Sequence, residues 1–320
     1  MNIRKIAEIA EVSPATVSRV FNRNPGVSRS VAQKVRKIAL KYNYHPRIPD
    51  KLKNVVIITP YNSVYPVQSC IDMLLMALTG ELPKAGFRVE ILPVNSLDRL
   101  PEIRFCAATA IGVEPSELAD WEDKFTEPLF IIDRSPGEGR FGKNVFFVNS
   151  DETYGMELAL NHLKERNCRK VGCIIHGVPG EGNASLREKA ICKALKKLDL
   201  PDNRQLIHFS GNDNSRYVEL VGKLLKQEVD ALFCPGGSAG IMILYALSLF
   251  NKKIPDDISL IASEQTFFSS YAVPPQTTIT QEYKQLAEKV TTLIGQAVSG
   301  EKIPAISTLP YCLISRESVK

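Results

Sequence analysis

The chain has 320 residues, 44% of them hydrophobic and 23% charged, with a net charge of +5. That length exceeds one small core and predicts two or three domains. No uninterrupted apolar run approaches the ~18 residues of a membrane span, and the start, Met1-Asn2-Ile3-Arg4-Lys5, is charged rather than an apolar signal core. A membrane protein is excluded on this reading, and a soluble, cytoplasmic one is expected. The seven cysteines show no Cys-x-x-Cys spacing and no histidine placed as a partner ligand. Free, buried thiols in a reducing compartment are expected, with no metal site and no cofactor.

The charge is unevenly spread. Residues 1–53 hold twelve Lys and Arg against three acids, a net of +9, so the remaining 267 residues sum to −4. A basic module on a mildly acidic body predicts that the N-terminus meets a polyanion.

Within that module, Ile3, Ile6, Ala7 and Ala10 recur at helical spacing and predict a short first helix ending near Glu11-Val12. Ser13-Pro14 supplies a capping hydroxyl followed by a proline at the first helical position, so a second helix starts at Pro14. It carries Val17, Val20 and Phe21 on one face and Ala15, Thr16, Ser18, Arg19 and Asn22 on the others. Asn24-Pro25-Gly26 breaks it, and Ser28 caps a third helix through Val31, Val35, Ile38 and Tyr42. Two short helices joined by a tight turn suit a helix-turn-helix, whose second helix would lie in the DNA major groove, with an ordinary three-helix bundle as the plainer alternative. Glu11 stands in the turn where glycine is usual, so either a strained backbone there, at a cost of about 1 kcal/mol, or an adjusted turn is expected.

The run Val12-Ser13-Pro14-Ala15-Thr16-Val17-Ser18-Arg19-Val20-Phe21-Asn22, followed by Val27-Ser28 and Tyr42-Asn43-Tyr44-His45-Pro46, resembles the headpiece of the lactose-repressor (LacI/GalR) family. The resemblance implies a sequence-specific DNA-binding transcription regulator, with repression as the family default. It places Pro14 and Ala15 against bases and makes Arg19 the guanine reader. Ser13, Thr16, Ser18, Asn22 and Ser28 would hold phosphates and set register.

Residues 47–53 form the linker between headpiece and body. The family's hinge helix has an Ala-Arg-x-Leu-like core that wedges into the minor groove; here the run is Arg47-Ile48-Pro49-Asp50-Lys51-Leu52-Lys53, shorter and without that core. Leu52 is either the wedge, flanked by Lys51 and Lys53 on phosphates, or a plain linker leucine.

From Val55 onward, apolar runs alternate with amphipathic segments. Val55–Ile58, Arg88–Leu92, Leu129–Ile132, Val171–Ile175, Ala231–Cys234 and Ile258–Ile261 read as buried parallel strands. Tyr154–Arg166, Leu186–Lys197 and Tyr217–Lys226 read as helices between them. An open α/β sheet repeated in two lobes follows, with ligands beyond the carboxyl ends of the strands. The family resemblance extends here through Ile132-Asp133-Arg134, Ile254-Pro255-Asp256-Asp257-Ile258-Ser259, Pro275–Gln281 and Leu313–Ser318. It implies a small all-α headpiece (1–46) on an α/β, periplasmic-binding-protein-like body (54–320) of two Rossmann-like lobes. Their divisions would be 54–152 with 281–307, and 153–280 with 308–320. A homodimer on double-stranded operator DNA is implied as well.

Carried over from the family, an effector cleft would use Asp133, Arg187 and Glu264, a set suited to the vicinal hydroxyls of a sugar; for each of the three a salt bridge is the plainer alternative. Gly236-Gly237 replaces the family's Asn-Asp, and Ala262-Ser263-Glu264-Gln265 replaces Gly-x-Asp-Asp. The helix start at Gly237-Ser238 would suit an anion, so either an acidic or phosphorylated effector, or none, is expected. Gly236-Gly237-Ser238-Ala239-Gly240 also satisfies Gly-x-Ser-x-Gly, the nucleophile elbow of hydrolases. That fold needs a histidine after the serine, and His45, His162, His176 and His208 all precede Ser238. A non-enzymatic regulator is therefore the expectation. A periplasmic sugar-binding protein shares the body but would lack the headpiece.

Overall fold

The computed structural model describes residues 2–21, 26–42, 44, 53–61, 70–137, 139–211, 214–237 and 239–320. The chain divides into two compact units: Met1–Val64, Met73–Asn149 and Tyr283–Ser307 in the first, and Tyr65–Asp72, Ser150–Glu282 and Thr308–Lys320 in the second. Three divisions differ from the sequence expectation: Tyr65–Asp72 is counted with the second unit, and the crossings expected after residues 152 and 280 fall after Asn149 and Glu282. Asp151 accepts a hydrogen bond from the Tyr154 amide at 2.9 Å and so caps the helix that opens the second unit. Gln281 is still paired with Tyr311 in the second sheet, which holds that unit together past residue 280.

Three helices open the chain: α1 (Ile3–Ala10), α2 (Pro14–Phe21) and α3 (Arg29–Lys41). Ile6, Ala7, Ala10, Val17, Val20 and Val35 form their shared core, the apolar spacing having put these side chains on facing stripes. The rings of Phe21 and Tyr44 meet edge to face at 5.8 Å and close its far end.

The first unit continues with a six-stranded sheet in the order β11-β5-β4-β3-β1-β2. Its strands are β1 (Asn54–Thr59), β2 (Arg88–Pro93), β3 (Ala107–Ile111), β4 (Leu129–Ile132), β5 (Val145–Ser150) and β11 (Ile306–Leu309), with helices α4 (Cys70–Lys84), α5 (Trp121–Lys124) and α11 (Tyr283–Val298). The second unit has its own sheet, ordered β12-β10-β9-β8-β6-β7. It comprises β6 (Val171–His176), β7 (Ile207–Gly211), β8 (Ala231–Cys234), β9 (Ser259–Ser263), β10 (Thr277–Gln281) and β12 (Tyr311–Ile314). Its helices are α6 (Glu152–Glu165), α7 (Gly182–Lys197), α8 (Tyr217–Leu225), α9 (Ala239–Leu249) and α10 (Thr266–Tyr271).

Pairing from β6 to β7, β6 to β8, β8 to β9 and β9 to β10 is parallel; β12 is added antiparallel to β10. Central strands such as β4 and β8 are buried at every position, as parallel strands covered on both faces must be. Two apolar clusters sandwich the second sheet: one gathers α6, α7 and the sheet, the other α8, α9 and the opposite face.

In each sheet the first strand lies between the second and the third, so neighbouring strands lead into crossovers in opposite directions. Open α/β sheets take ligands in the crevice beyond the strands' carboxyl ends at such a switch point. In the second unit that crevice is flanked by the ends of β6 and β8, where His176 and Gly236 stand.

Of the seven thiols, Cys106, Cys168, Cys173 and Cys234 are buried, Cys192 and Cys312 half-buried, and none forms a disulfide. Cys70, expected inside, is exposed, because it begins α4 rather than a core strand. No described helix is long and apolar enough to cross a membrane.

Candidate functional site

The helix-turn-helix is built as its sequence predicts. Asn2 caps α1 through its side chain to the Lys5 amide at 3.0 Å, and Ser28 caps α3 through the Val31 amide at 3.4 Å. Ser13 caps α2: its Oγ accepts from the Thr16 amide at 3.1 Å and shares a 2.9 Å contact with the Thr16 hydroxyl. Glu11 adopts φ 56°, ψ 43°, and its amide bonds back to Glu8 and Ala7 carbonyls to close α1. Its carboxylate meets Lys34 Nζ at 2.7 Å, and that hydrogen bond and charge draw its pKa below the ordinary carboxylate value.

Glycine adopts that left-handed backbone without the Cβ clash glutamate suffers. Glu11→Gly is expected to raise the melting temperature of the headpiece by a few degrees despite losing the exposed Lys34 contact, which is worth little. A lowered melting temperature would show that the contact outweighs the strain.

Ser13, Pro14, Ala15 and Arg19 are exposed, and Thr16 and Ser18 half-buried, while Val17 and Val20 point into the core. Ser28 is exposed at the start of α3. One face of α2 therefore offers a guanidinium, hydroxyls and small side chains to solvent. Lys53 is half-buried, and its carbonyl accepts from the Arg88 amide at 2.7 Å, which fastens it to the head of β2. Asn22, Lys51 and Leu52 lie outside the described residues, as does Ser238.

Asp133 stands just past β4 in the first unit, with φ 50° and its amide on the Val148 carbonyl at 3.1 Å. Arg187, Gly237 and Glu264 belong to the second unit. Arg187, on α7, grips Glu152 at the start of α6 with two prongs, Nε to Oε2 at 3.0 Å and Nη2 to Oε1 at 2.7 Å. The pair is largely buried, with side chains 13% and 9% exposed. Burial works against the Arg187 charge; Glu152 and the Tyr311 hydroxyl more than offset it and raise its pKa further. Glu264 is held likewise, by Arg316 Nη1 at 2.9 Å and Nη2 at 3.2 Å, with the Thr278 hydroxyl on the same carboxylate.

Gly236 and Gly237 have φ of 91° and 57°, both left-handed. A Cβ on Gly236 would stand 2.3 Å from Arg187 Nη1, and one on Gly237 would stand 2.6 Å from His176 Cγ. The two glycines thus let a guanidinium and an imidazole lie against the backbone. The Gly236 amide donates to Ser263 Oγ at 2.7 Å, and Gln265 Nε2 donates to the Gly237 carbonyl at 3.3 Å. His176 Nδ1 lies 3.2 Å from Ser210 Oγ, itself fully buried. Burial, then the nearby Arg187 charge, lowers the His176 pKa. The charge beside this imidazole is a cation rather than a carboxylate.

His162 and His208 are also drawn below the ordinary imidazole value, chiefly by burial and then by Arg166 for the first and Lys223 for the second. The unfolded chain therefore takes up protons first as pH falls, so the stabilisation is present above about 6.5 and is lost on acidification through the lower folded values. The melting temperature is expected to fall from pH 7.5 to about pH 5; a flat profile would show that these imidazoles titrate normally.

Sequence reasoning did not single out His176, Glu152, Ser210 or Arg316 as site residues. Arg316 lies in the family-like closing segment, but nothing in the sequence assigns its partner. Glu152 and Arg187 are 35 residues apart, and no local pattern links them.

A headpiece with an exposed recognition helix, carried by two parallel-sheet units that each part at a switch point, defines a DNA-binding regulator with a ligand-binding type of body. Residues 2–47 match the model of bacterial regulatory proteins, lacI family, and residues 160–319 that of the periplasmic binding protein-like domain. The chain belongs to the lacI family of bacterial transcription regulators. It is 24% identical over 316 residues to the HTH-type transcriptional repressor PurR of Aliivibrio salmonicida (strain LFI1238), covering 92% of each chain. It is also 24% identical to the sucrose operon repressor of Streptococcus mutans serotype c (strain ATCC 700610 / UA159), over 98% of each. Among solved structures, the transcriptional regulator CelR-cellobiose complex superposes with a TM-score of 0.71 at 21% identity, over 99% of both chains. The lac repressor dimer bound to operator and the anti-inducer ONPF gives 0.69 at 18%, over 99% of this chain and 98% of that one. At these identities the structural likeness shows the fold.

Proposed function

We propose that the chain is an operator-binding repressor that acts as a homodimer in the cytoplasm and is controlled by a small molecule bound by its α/β body. The observation that carries this reading is the exposed face of α2, where Arg19 stands among capped and small side chains on a module of net charge +9. Arg19 is suited to bidentate contact with a guanine edge, and Ser13, Thr16, Ser18 and Ser28 to phosphate contacts. Asn22, Lys51, Leu52 and Lys53 extend that set in this reading.

Apolar surface on the second unit supports dimerisation. Ile241, Tyr245 and Leu249 recur every four residues along α9 and are exposed, and Phe267 and Tyr271 stack 4.8 Å apart on α10 beside exposed Val273. A second copy of the chain covers such surface and brings two headpieces to two half-sites. The reading is of a regulator rather than a hydrolase, because the imidazole against Gly237 is paired with Ser210 and faces Arg187. Relatives named for sucrose and ribose operons, and the neighbour complexed with cellobiose, support a sugar-like effector.

Selection of bound sequences from a random double-stranded DNA library tests the proposal. Enrichment of a two-fold symmetric site, with half-sites about a helical turn apart, is the expected result. Enrichment without symmetry would remove the dimer, and no enrichment would remove sequence-specific binding.

A further inference from the structure

We propose that the headpiece docks on the body of its own chain, through Arg36 and Leu40 of α3 against the end of α5, and that this contact fixes the spacing at which two headpieces meet DNA. The inference rests on the headpiece being the module that reads DNA. Its starting point is the side of α3 that the headpiece core does not use. Val31, Val35 and Ile38 pack into that core, whereas Arg36 and Leu40, one turn apart, lie off this stripe. Both are half-buried, although Leu40 is not part of the headpiece cluster. On this side α3 lies against α5, and Arg36 Nη1 donates to the Lys124 carbonyl at 3.1 Å.

That carbonyl suits a guanidinium. It belongs to the last turn of α5, whose carbonyls the helix itself leaves unsatisfied, and an ionised donor strengthens the bond. The ammonium of the same residue is drawn elsewhere, with Lys124 Nζ held by Asp120 at 2.5 Å. α5 is in turn a firm base. Trp121 and Phe125 are buried with their rings 4.5 Å apart, Trp121 Nε1 donates to the Glu127 carbonyl at 2.8 Å, and Asn144 Nδ2 donates to the Phe125 carbonyl at 2.9 Å. β4 begins at Leu129, so the contact is tied to the strand that ends beside Asp133.

A small contact suffices because the two parts are already joined. Residues 42–53 connect α3 to β1. A short tether holds its ends at an effective concentration of about a millimolar, so a contact with an intrinsic Kd of about a millimolar keeps the headpiece docked about half the time, and a tighter one keeps it docked mostly. Docking leaves the DNA-reading face open, since Ser13, Pro14, Ala15 and Arg19 are exposed in this arrangement. The contact is therefore a positioning device rather than a block. A headpiece loose on its tether adapts to half-sites at several spacings. One held on the body presents α2 at a fixed place, and a dimer of such bodies accepts one spacing.

The test uses the full chain, labelled with 15N and free of DNA. Headpiece amides of the parent are expected to relax with the slow tumbling of the body. The double variant Arg36→Ala with Leu40→Ser, and separately Asp120→Lys, are expected to narrow their lines at least about twofold, because a released headpiece tumbles faster than the body. Asp120→Lys puts a second cation beside Arg36 and lies outside the headpiece, so it cannot act by unfolding it. Narrow headpiece lines in the parent, or lines unchanged in the double variant, would overturn the docking. Narrowing in the double variant without any in Asp120→Lys would overturn it too, by placing the effect in headpiece folding. The spacing role is read on duplexes carrying the site enriched from the random library, at about 0.15 M salt, where charge is screened beyond about 8 Å. Asp120→Lys is expected to bind a single half-site within about twofold of the parent, and to lose at least about threefold of the preference for the selected spacing over one altered by two base pairs. An unchanged preference would remove the spacing role. The line widths need no DNA, so the two failures separate: no enrichment from the library removes the regulator reading, whereas enrichment with narrow parent lines removes the docking alone.

Discussion

Glu152→Ala is expected to destabilise the second unit by about 3–5 kcal/mol, because it leaves the Arg187 guanidinium buried and unpaired. The structural grounds are specific. Arg187 lies between α7 and α6, makes two hydrogen bonds of 2.7 and 3.0 Å to this one carboxylate, and is 13% exposed. Arg187→Ala is expected to cost a similar amount, since it strands the Glu152 carboxylate instead. The double substitution Glu152→Leu with Arg187→Met replaces both charges by apolar groups of similar volume and is expected to recover most of the loss, because the desolvation of two ions disappears with them. Urea denaturation of the three variants checks this, and a Glu152→Ala variant within about 1 kcal/mol of the parent would show that water reaches the guanidinium. The pair also bears on architecture. Glu152 lies three residues past Asn149, where the chain crosses between units, and the Tyr311 hydroxyl, four residues past the Ser307 crossing, joins the same guanidinium.

Arg19→Ala is expected to cost about 1–3 kcal/mol in operator affinity and to relax the preference at one base pair per half-site. The side chain is exposed on α2, and Val17 and Val20 hold the opposite face in the headpiece core, so the substitution leaves the fold intact. Affinity for a panel of single-base operator variants distinguishes base reading from phosphate contact. A phosphate contact would weaken all sequences alike and lower the salt dependence by about one counterion. Such uniform weakening would remove Arg19 as the base reader.

The headpiece was legible in the sequence because its determinants are local. Capping hydroxyls at Ser13 and Ser28, the proline at helix position one, and the spacing of Ile6, Ala10, Val17 and Val20 each act within a turn or two of chain. At Glu11 the sequence left a strained backbone or an adjusted turn open, and the structure has the left-handed one. The α/β class of the body was legible for a related reason, since strands buried on both faces must be written as continuous apolar runs. Strands β3, β5, β7, β10, β11 and β12 escaped notice. Ala107–Ile111 is rich in alanine and threonine, and Ile207–Gly211 carries His208 and Ser210, so neither reads as an apolar run.

The basic, exposed recognition helix is thus a property of the sequence by itself, because charge, capping and helical period are all short-range. The crevice of the second unit was decided only by the tertiary structure. Arg187, Glu264 and the glycine pair were visible as candidates, but their partners come from distant segments: Glu152 for Arg187, Arg316 for Glu264, His176 for Gly237. Whether a buried charge faces a ligand or another side chain depends on which groups the fold brings within about 3 Å, and there the low dielectric makes the pairing decisive.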